Sequence, residues 1–482
     1  MTETFDFFVN GRPRGGAERQ TFPTINPYTQ QEWARIAEST EADVDEAVEA
    51  ARAAFRGPWR DMNGYKRAQL MTRLADLMTE EAERLGRYET KDNGKLLKES
   101  VGNVTSAARY YRFFAGYADK LNGETIPMDN GSMFDYTLRE PIGVIAIVTP
   151  WNAPLSILAN ALAPALSAGN TVVIKPSEFT SVTTAEFAKI AQKAGFPDGV
   201  INVVTGGRDV GNWLTSHPGI GKISFTGGAG TARAIARNAS ANLVPLMLEL
   251  GGKSPNIIFE DADLAKAASA AAKGIFNSAG QTCIAGSRIL VQRNVHDQIV
   301  ELLAGLAAEY RMGDPLKPET TLGPMAHKAH YDQVLNVIGQ ALEGGGVAAY
   351  GGGKPDLPAP ASGGLFVSPT VLTGLTNAAP IAREEVFGPV AVIPPFDDDD
   401  EAFAIANDTD YGLASGVWTS SIARAHRFAR RIEAGQVWIN TYRVSGAQVP
   451  FGGVKRSGYG RARGFQSLLE YTQVKNIMMD VS

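Results

Sequence analysis

IGVIAIVTPWNAPLSILANALAPALSAGNTVVIK, residues 142–175, carries no charged residue before Lys175. Its length invites a membrane span, but Pro150, Pro154 and Pro164 would interrupt a spanning helix, and Asn152, Asn160 and Asn170 would add polar cost in lipid. The stretch divides better into three. IGVIAIV (142–148) and TVVIK (171–175) are short apolar runs of the kind a parallel strand shows when both faces are covered. Between them LSILANALAPALSAG has helix length and ends on Gly169. Strand, helix, strand is the repeating unit of a parallel sheet with right-handed crossovers.

The rhythm continues outward. Helix-like TTAEFAKIAQKAG, strand-like INVVT, helix-like VGNWLTSH, strand-like KISFT and helix-like TARAIARNAS follow in order, predicting a doubly wound α/β unit. After Gly251 a second series begins with DLAKAASAAAKGIF, SRILVQ and VHDQIVELLAGLAAEY and ends with VAVIPPF, SGVWTS and QVWIN, predicting a second α/β domain. Residues 43–121 read as amphipathic helix, and GSMFDYTLREP (131–141) as a strand outside the sheet. The Asp397–Asp400 run precedes helix-like EAFAIAND and reads as a helix cap.

With 46 basic and 51 acidic residues the net charge of -5 gives no cationic surface for nucleic acid. The start, MTETFDFFVNGRPRGG, lacks the basic and apolar regions of a secretory signal, so a cytoplasmic protein is expected. A single cysteine, Cys283, excludes an internal disulfide and a cysteine-rich zinc site, and no metal is expected. A lone cysteine by itself reads more readily as a small buried hydrophobe, and only its neighbours can overturn that.

Ligands of a parallel α/β sheet sit beyond the carboxyl ends of its strands. After TVVIK come Lys175, Ser177 and Glu178, where a lysine and a carboxylate can reach the hydroxyls of a ribose. A carboxylate there repels a 2′-phosphate, which favours NAD over NADP while leaving NADP possible. After KIS come Phe225, Thr226, Gly227 and Gly228, whose amides can approach a pyrophosphate, although a strict G-x-G-x-x-G is absent and a plain glycine turn fits too. Three further motifs bear reactive groups: Leu248-Glu249-Leu250-Gly251-Gly252-Lys253, Gly280-Gln281-Thr282-Cys283 and Pro150-Trp151-Asn152. Singly, Glu249 could be a salt-bridge partner, Cys283 a packed thiol and Asn152 a turn residue.

Together, PWN, KPSE, FTGG, LELGGKSP, GQTC, EEVFGPV and PFGGVKRSGYGR occur in an order that resembles the aldehyde dehydrogenase superfamily over essentially the whole chain. The resemblance implies an NAD(P)-dependent oxidation of an aldehyde to a carboxylic acid. Cys283 would attack the aldehyde, Asn152 and the Cys283 amide would receive the oxyanion, and Glu249 would activate water against the thioester. It also implies a cofactor site from Thr149, Pro150, Trp151, Lys175, Ser177, Glu178, Phe225, Thr226, Gly227, Gly228, Leu250, Glu385 and Phe387. Glu385 would hold the nicotinamide ribose and Phe387 would back the nicotinamide. The five histidines, His217, His296, His327, His330 and His426, lie outside these motifs, so no cysteine–histidine dyad is expected. An acylating enzyme using coenzyme A, and a non-catalytic relative, are the alternatives that an intact Glu249 and Cys283 oppose.

Departures from the family pattern concern the substrate. Ala462 stands where a proton-exit glutamate is usual, and Thr231-Ala232 where the cofactor helix often has glycine. Ala153, Asn160 and Ser445 replace bulky or aromatic residues, which predicts a wide tunnel. Phe451 would be free to stack on a ring, and Arg443 to receive a carboxylate. A bulky, aromatic or carboxylated aldehyde is expected, with a solvated arginine and a promiscuous pocket as the plainer alternative.

The expected organisation is a cofactor domain of residues 1–121 and 143–250, a catalytic domain of 251–455, and a small β oligomerisation element of 122–142 and 456–482. The last implies a homodimer or homotetramer, and the apolar terminus TQVKNIMMDV suits strand pairing.

Overall fold

A computed structural model describes residues 2–16 and 19–482; Met1, Ala17 and Glu18, within the first expected unit, lie outside the described residues. The opening stretch forms the strand Val144–Val148, the helix Pro154–Ala168 and the strand Thr171–Lys175, paired in parallel from Val144↔Thr171 to Val148↔Lys175. Its apolar character has a direct cause. Ile145, Ile147, Val172 and Ile174 enter one core with Leu74, Phe114 and Leu162, while Val144, Ala146 and Val173 enter another with Val48, Leu214 and Ile235. Covering both faces stabilises each of the isoleucine and valine side chains by about 1.5–3 kcal/mol.

The asparagines that argued against lipid are each used. Asn170 lies at the corner between helix and second strand; its Oδ1 accepts from the amides of Ile142 and Gly143 at 2.7 and 3.0 Å. Its Nδ2 donates to the carbonyls of Ala165 and Tyr471, so a fully buried amide is satisfied on both sides. Among the described residues no helix is long and apolar enough to cross a membrane.

Eight strands make the first sheet. Its parallel centre runs Leu246–Glu249, Lys222–Thr226, Val144–Val148, Thr171–Lys175, Ile201–Val203, and the antiparallel Phe7–Val9 and Arg12–Arg14 follow on one edge. From Val144–Val148 the chain adds strands first to one side and then to the other, so the order reverses between Val144–Val148 and Lys222–Thr226. The second sheet centres on parallel Arg288–Gln292, Pro255–Ile258, Ala414–Trp418 and Gln436–Ile439. The Asp397–Asp400 run caps as expected: Asp398 accepts from the Glu401 amide at the start of Asp399–Asn407.

The tail differs from expectation. Only Thr472–Asp480 joins Met133–Pro141 and Thr125–Ile126 in a separate antiparallel ribbon, exposing Phe134, Leu138, Val474, Met478 and Met479. Gly458–Tyr459 instead pairs antiparallel with Leu246–Glu249 at the edge of the first sheet. The strand that carries Glu249 would otherwise present an open edge, and the tail covers it before leaving for the ribbon.

Candidate active site

The reversal of strand order opens a crevice, as it must in a doubly wound sheet. Registers Phe225↔Val148 and Thr226↔Glu249 bring the ends of three strands to one level there. Two cavities occupy the crevice, of about 540 and 290 Å³, sharing Pro150, Trp151, Thr226, Gly227 and Gly228 as a common wall.

The larger is a groove lined by Thr149, Lys175, Ser177, Glu178 and Phe225 besides the shared residues. Lys175 Nζ donates to the Pro176 carbonyl at 2.9 Å and lies 3.9 Å from the Glu178 carboxylate, and burial lowers its pKa. The helix Ala229–Ser240 starts at Gly228 without a side-chain cap, so its first amides face the groove unsatisfied by the chain itself. Arg208 and Arg237 also line the groove; their helices carry no motif that singles them out.

The smaller cavity gathers Asn152, Glu249, Leu250, Cys283, Glu385 and Phe387 from segments far apart in sequence. Its floor is the turn that carries the thiol. Ser278, Ala279 and Gly280 are all left-handed, with φ of 57°, 53° and 71°. A Cβ on Gly280 would lie 2.0 Å from the Gly388 carbonyl oxygen, so only glycine fits. Gln281 anchors the turn by accepting from the Ala326 amide at 2.8 Å, and its own carbonyl accepts from Asn152 Nδ2 at 3.1 Å. The Cys283 amide donates to no acceptor among the described residues, leaving an N–H beside an amide side chain fixed in place.

The charges are largely buried. Burial, then the carboxylates of Glu385 and Glu249, push the Cys283 thiol up to about 12, against the pull of Arg463 and Arg443. Neither oxygen of Glu249 has a hydrogen-bond partner within normal geometry; the neighbouring Ala462 amide, which donates to the Phe451 carbonyl at 2.7 Å, offers it only a weak stabilisation. Burial therefore holds its pKa well above the ordinary carboxylate range, opposed by Arg461 and Arg463. Glu385 is raised by burial to about 7 and accepts from the Gly252 amide at 3.1 Å. It reaches that position because Gly251 has no side chain: a Cβ there would fall 2.0 Å from Glu385 Oε2.

His330, which no motif contained, forms part of this wall with Gln333. Its Nε2 donates to the Phe387 carbonyl at 2.8 Å and burial lowers its pKa, so it props Phe387 and is not paired with the thiol. Trp151 packs edge-on against Phe387, ring centres 5.3 Å apart.

The expected substrate residues fall elsewhere. Ala153 caps the helix Pro154–Ala168. Asn160 and Ser445 are brought together, yet the space between them is not open: Arg463 Nε donates to Asn160 Oδ1 at 3.2 Å and its Nη1 donates to Ser445 Oγ. The same guanidinium lies 4.6 Å from the centre of the Phe451 ring. Part of the width vacated at Asn160 and Ser445 is taken by a guanidinium, and one face of Phe451 is covered by it. Arg443 is not part of this cluster; it lines a separate cavity of about 380 Å³ with Lys266 and Lys273. Arg463 was missed although it adjoins the noted departure at Ala462, because nothing local shows that it spans to residue 160.

The family model described as "Aldehyde dehydrogenase family" matches residues 15–477. A cytosolic aldehyde dehydrogenase of Mus musculus is 41% identical over 480 residues, covering 98% of this chain and 95% of its own. A 2-hydroxymuconic semialdehyde dehydrogenase of Pseudomonas sp. is 40% identical, covering 98% of each. An NAD+ complex of an aldehyde dehydrogenase from Bacillus cereus superposes with a TM-score of 0.96 at 40% identity, covering 100% of this chain and 97% of that one. Likeness that runs from one end to the other in both sequence and fold leaves one assignment: the chain belongs to the aldehyde dehydrogenase family, whose chemistry is the oxidation of aldehydes.

Proposed function

We propose that the chain oxidises an aldehyde to a carboxylic acid at Cys283, with a nicotinamide dinucleotide, NAD in preference to NADP, in the strand-end groove. The groove's uncapped helix terminus, buried Lys175 and continuity with the thiol cavity suit such a molecule. When bound, the dinucleotide accepts the hydride. The chain's own groups do the rest. The Cys283 thiol gives its proton up to solvent as its sulfur adds to the carbonyl carbon, and the negative oxygen is received by the Cys283 amide and Asn152 Nδ2. Loss of hydride leaves a thioester, and Glu249, deprotonated, takes a proton from water as its oxygen attacks; the acid departs and the thiol is restored. Glu385 and Phe387 position the nicotinamide end.

The observation that carries this reading is the buried, unpartnered carboxylate of Glu249 in the same cavity as the only thiol. Transfer to coenzyme A would have less use for it. The test is NADH absorbance with NAD and a panel of aldehydes, with and without coenzyme A. Turnover independent of coenzyme A and abolished by Cys283→Ala is expected; an absolute requirement for coenzyme A, or full activity in the variant, would overturn the reading.

The substrate is larger than acetaldehyde, so kcat/KM for benzaldehyde-type substrates exceeds that for the two-carbon aldehyde. One relative is named for 2-hydroxymuconic semialdehyde. Residues 1–121 and 143–250 serve the cofactor and 251–455 the nucleophile. The exposed apolar ribbon of Met133–Pro141 and Thr472–Asp480 mediates self-association into a dimer or tetramer.

A further inference from the structure

Arg463 occupies an unusual position. It opens the short helix Gly464–Glu470 with φ of 59°, a conformation that costs a residue bearing a side chain on the order of 1–3 kcal/mol unless its surroundings impose it. The groups its guanidinium touches are neutral: Asn160 at 3.2 Å, Ser445, and the rings of Phe451 and Tyr110 with centres at 4.6 and 5.3 Å; the Glu249 carboxylate feels its charge without forming an ion pair. Among the described residues no carboxylate pairs with it, and its Nη2 donates to nothing. Nearby Arg461 differs, because its Nη1 is spent on the carbonyls of Gly453 and Gly460.

Arg443 repeats the pattern from another direction. Its Nη1 donates to the Lys273 carbonyl at 3.3 Å, no carboxylate pairs with it among the described residues, and the cavity it lines with Lys266 and Lys273 contains no acid. Both guanidiniums are close enough to Cys283 to favour its thiolate. Neither lines the cofactor groove. Neither is ion-paired among the described residues, although Glu99 faces Arg443 and Glu249 feels Arg463. The Arg463 cluster abuts the thiol cavity through Gly452, next to Phe451, where a Cβ would lie 2.7 Å from Glu249 Oε1. A half-buried guanidinium with an idle edge is best satisfied by a planar anion, and a carboxylate matches its fork.

We propose that Arg463 is a specificity-determining residue that receives a carboxylate on the far end of the aldehyde, so that the preferred substrate is an aldehyde carrying an acid, with Arg443 attracting the same charge at the approach. The inference deepens the proposed function and rests on reaction at Cys283.

The test compares two acid–ester pairs, 4-formylbenzoate with its methyl ester and succinic semialdehyde with its methyl ester. In each, charge is removed with little change at the reacting carbonyl. The intact enzyme is expected to favour the acid in at least one pair by about tenfold or more in kcat/KM, the scale of one charge-assisted hydrogen bond. Arg463→Met should bring that ratio close to one, and Arg463→Lys should retain part of it. A purely structural arginine would lower both members of a pair together and leave the ratio intact, which would overturn the proposal. Should Arg463→Met fail to fold, the intact enzyme still decides: esters used as well as acids in both pairs refute it, as does an acid preference that does not weaken as ionic strength rises. Equal use of acid and ester, with turnover still dependent on Cys283, removes this inference alone. Turnover surviving in Cys283→Ala removes the reading beneath it as well.

Discussion

The two sides of the thiol are built on different plans. The cofactor side is a wall of strand ends, in which Thr149 to Trp151, Lys175 to Glu178 and Phe225 to Gly228 are short consecutive runs offering backbone groups at a crevice fixed by sheet order. The other side is made of side chains that meet from afar: Arg463 and Asn160 are 303 residues apart. A backbone wall tolerates changes of side chain, whereas a side-chain wall is its side chains. Substitutions should therefore be graded by which wall they touch.

The largest effect is expected where both walls end, in the thiol cavity. Glu249→Gln should permit the first hydride transfer and stall hydrolysis, giving a rapid burst of NADH followed by a steady rate lowered about 10²–10⁴-fold. Rapid-mixing absorbance reads both phases, and a full steady rate would show that water needs no help from this carboxylate. A moderate effect belongs to the groove. Glu178→Ala should shift the NAD-to-NADP preference by about tenfold in kcat/KM, yet cost NAD itself less, because most of its wall is backbone. If NAD binding disappears in isothermal titration, the contrast between the walls is wrong.

The smallest effect is electrostatic. After burial, the Glu385 carboxylate is the first group that raises the Cys283 pKa, so Glu385→Gln should lower it and increase the thiolate fraction. Glu385 titrates near about 7, being neutral below that and negative above. Alkylation by iodoacetamide should accordingly be alike in the two proteins at about pH 6 and several-fold faster in the variant at about pH 9. Equal rates at the higher pH would place the carboxylate too far from the sulfur to matter.

The same division explains what could be read from the sequence. Strand ends followed by glycine, proline or lysine leave a local mark, so the doubly wound sheet, the groove and the reactive motifs are legible in the sequence. The guanidinium between Asn160 and Ser445 is hidden for the opposite reason. Ala153, Asn160 and Ser445 announce missing bulk, but the guanidinium that fills the space enters from beyond Ala462, and no periodicity links the two. His330 was likewise invisible, since its contact is a carbonyl of Phe387. The tail's route past Gly458–Tyr459 was hidden because two residues are too few to show a strand pattern.

One peptide hydrogen bond ties the crevice together. Gly227 N–H, at the mouth of the groove, donates to the carbonyl of Glu249 at 3.0 Å. That bond couples the turn that opens the groove to the strand carrying Glu249, while Asn160, Ser445 and Arg463 are borne by other elements, so exchanging any of those three side chains leaves it unbroken.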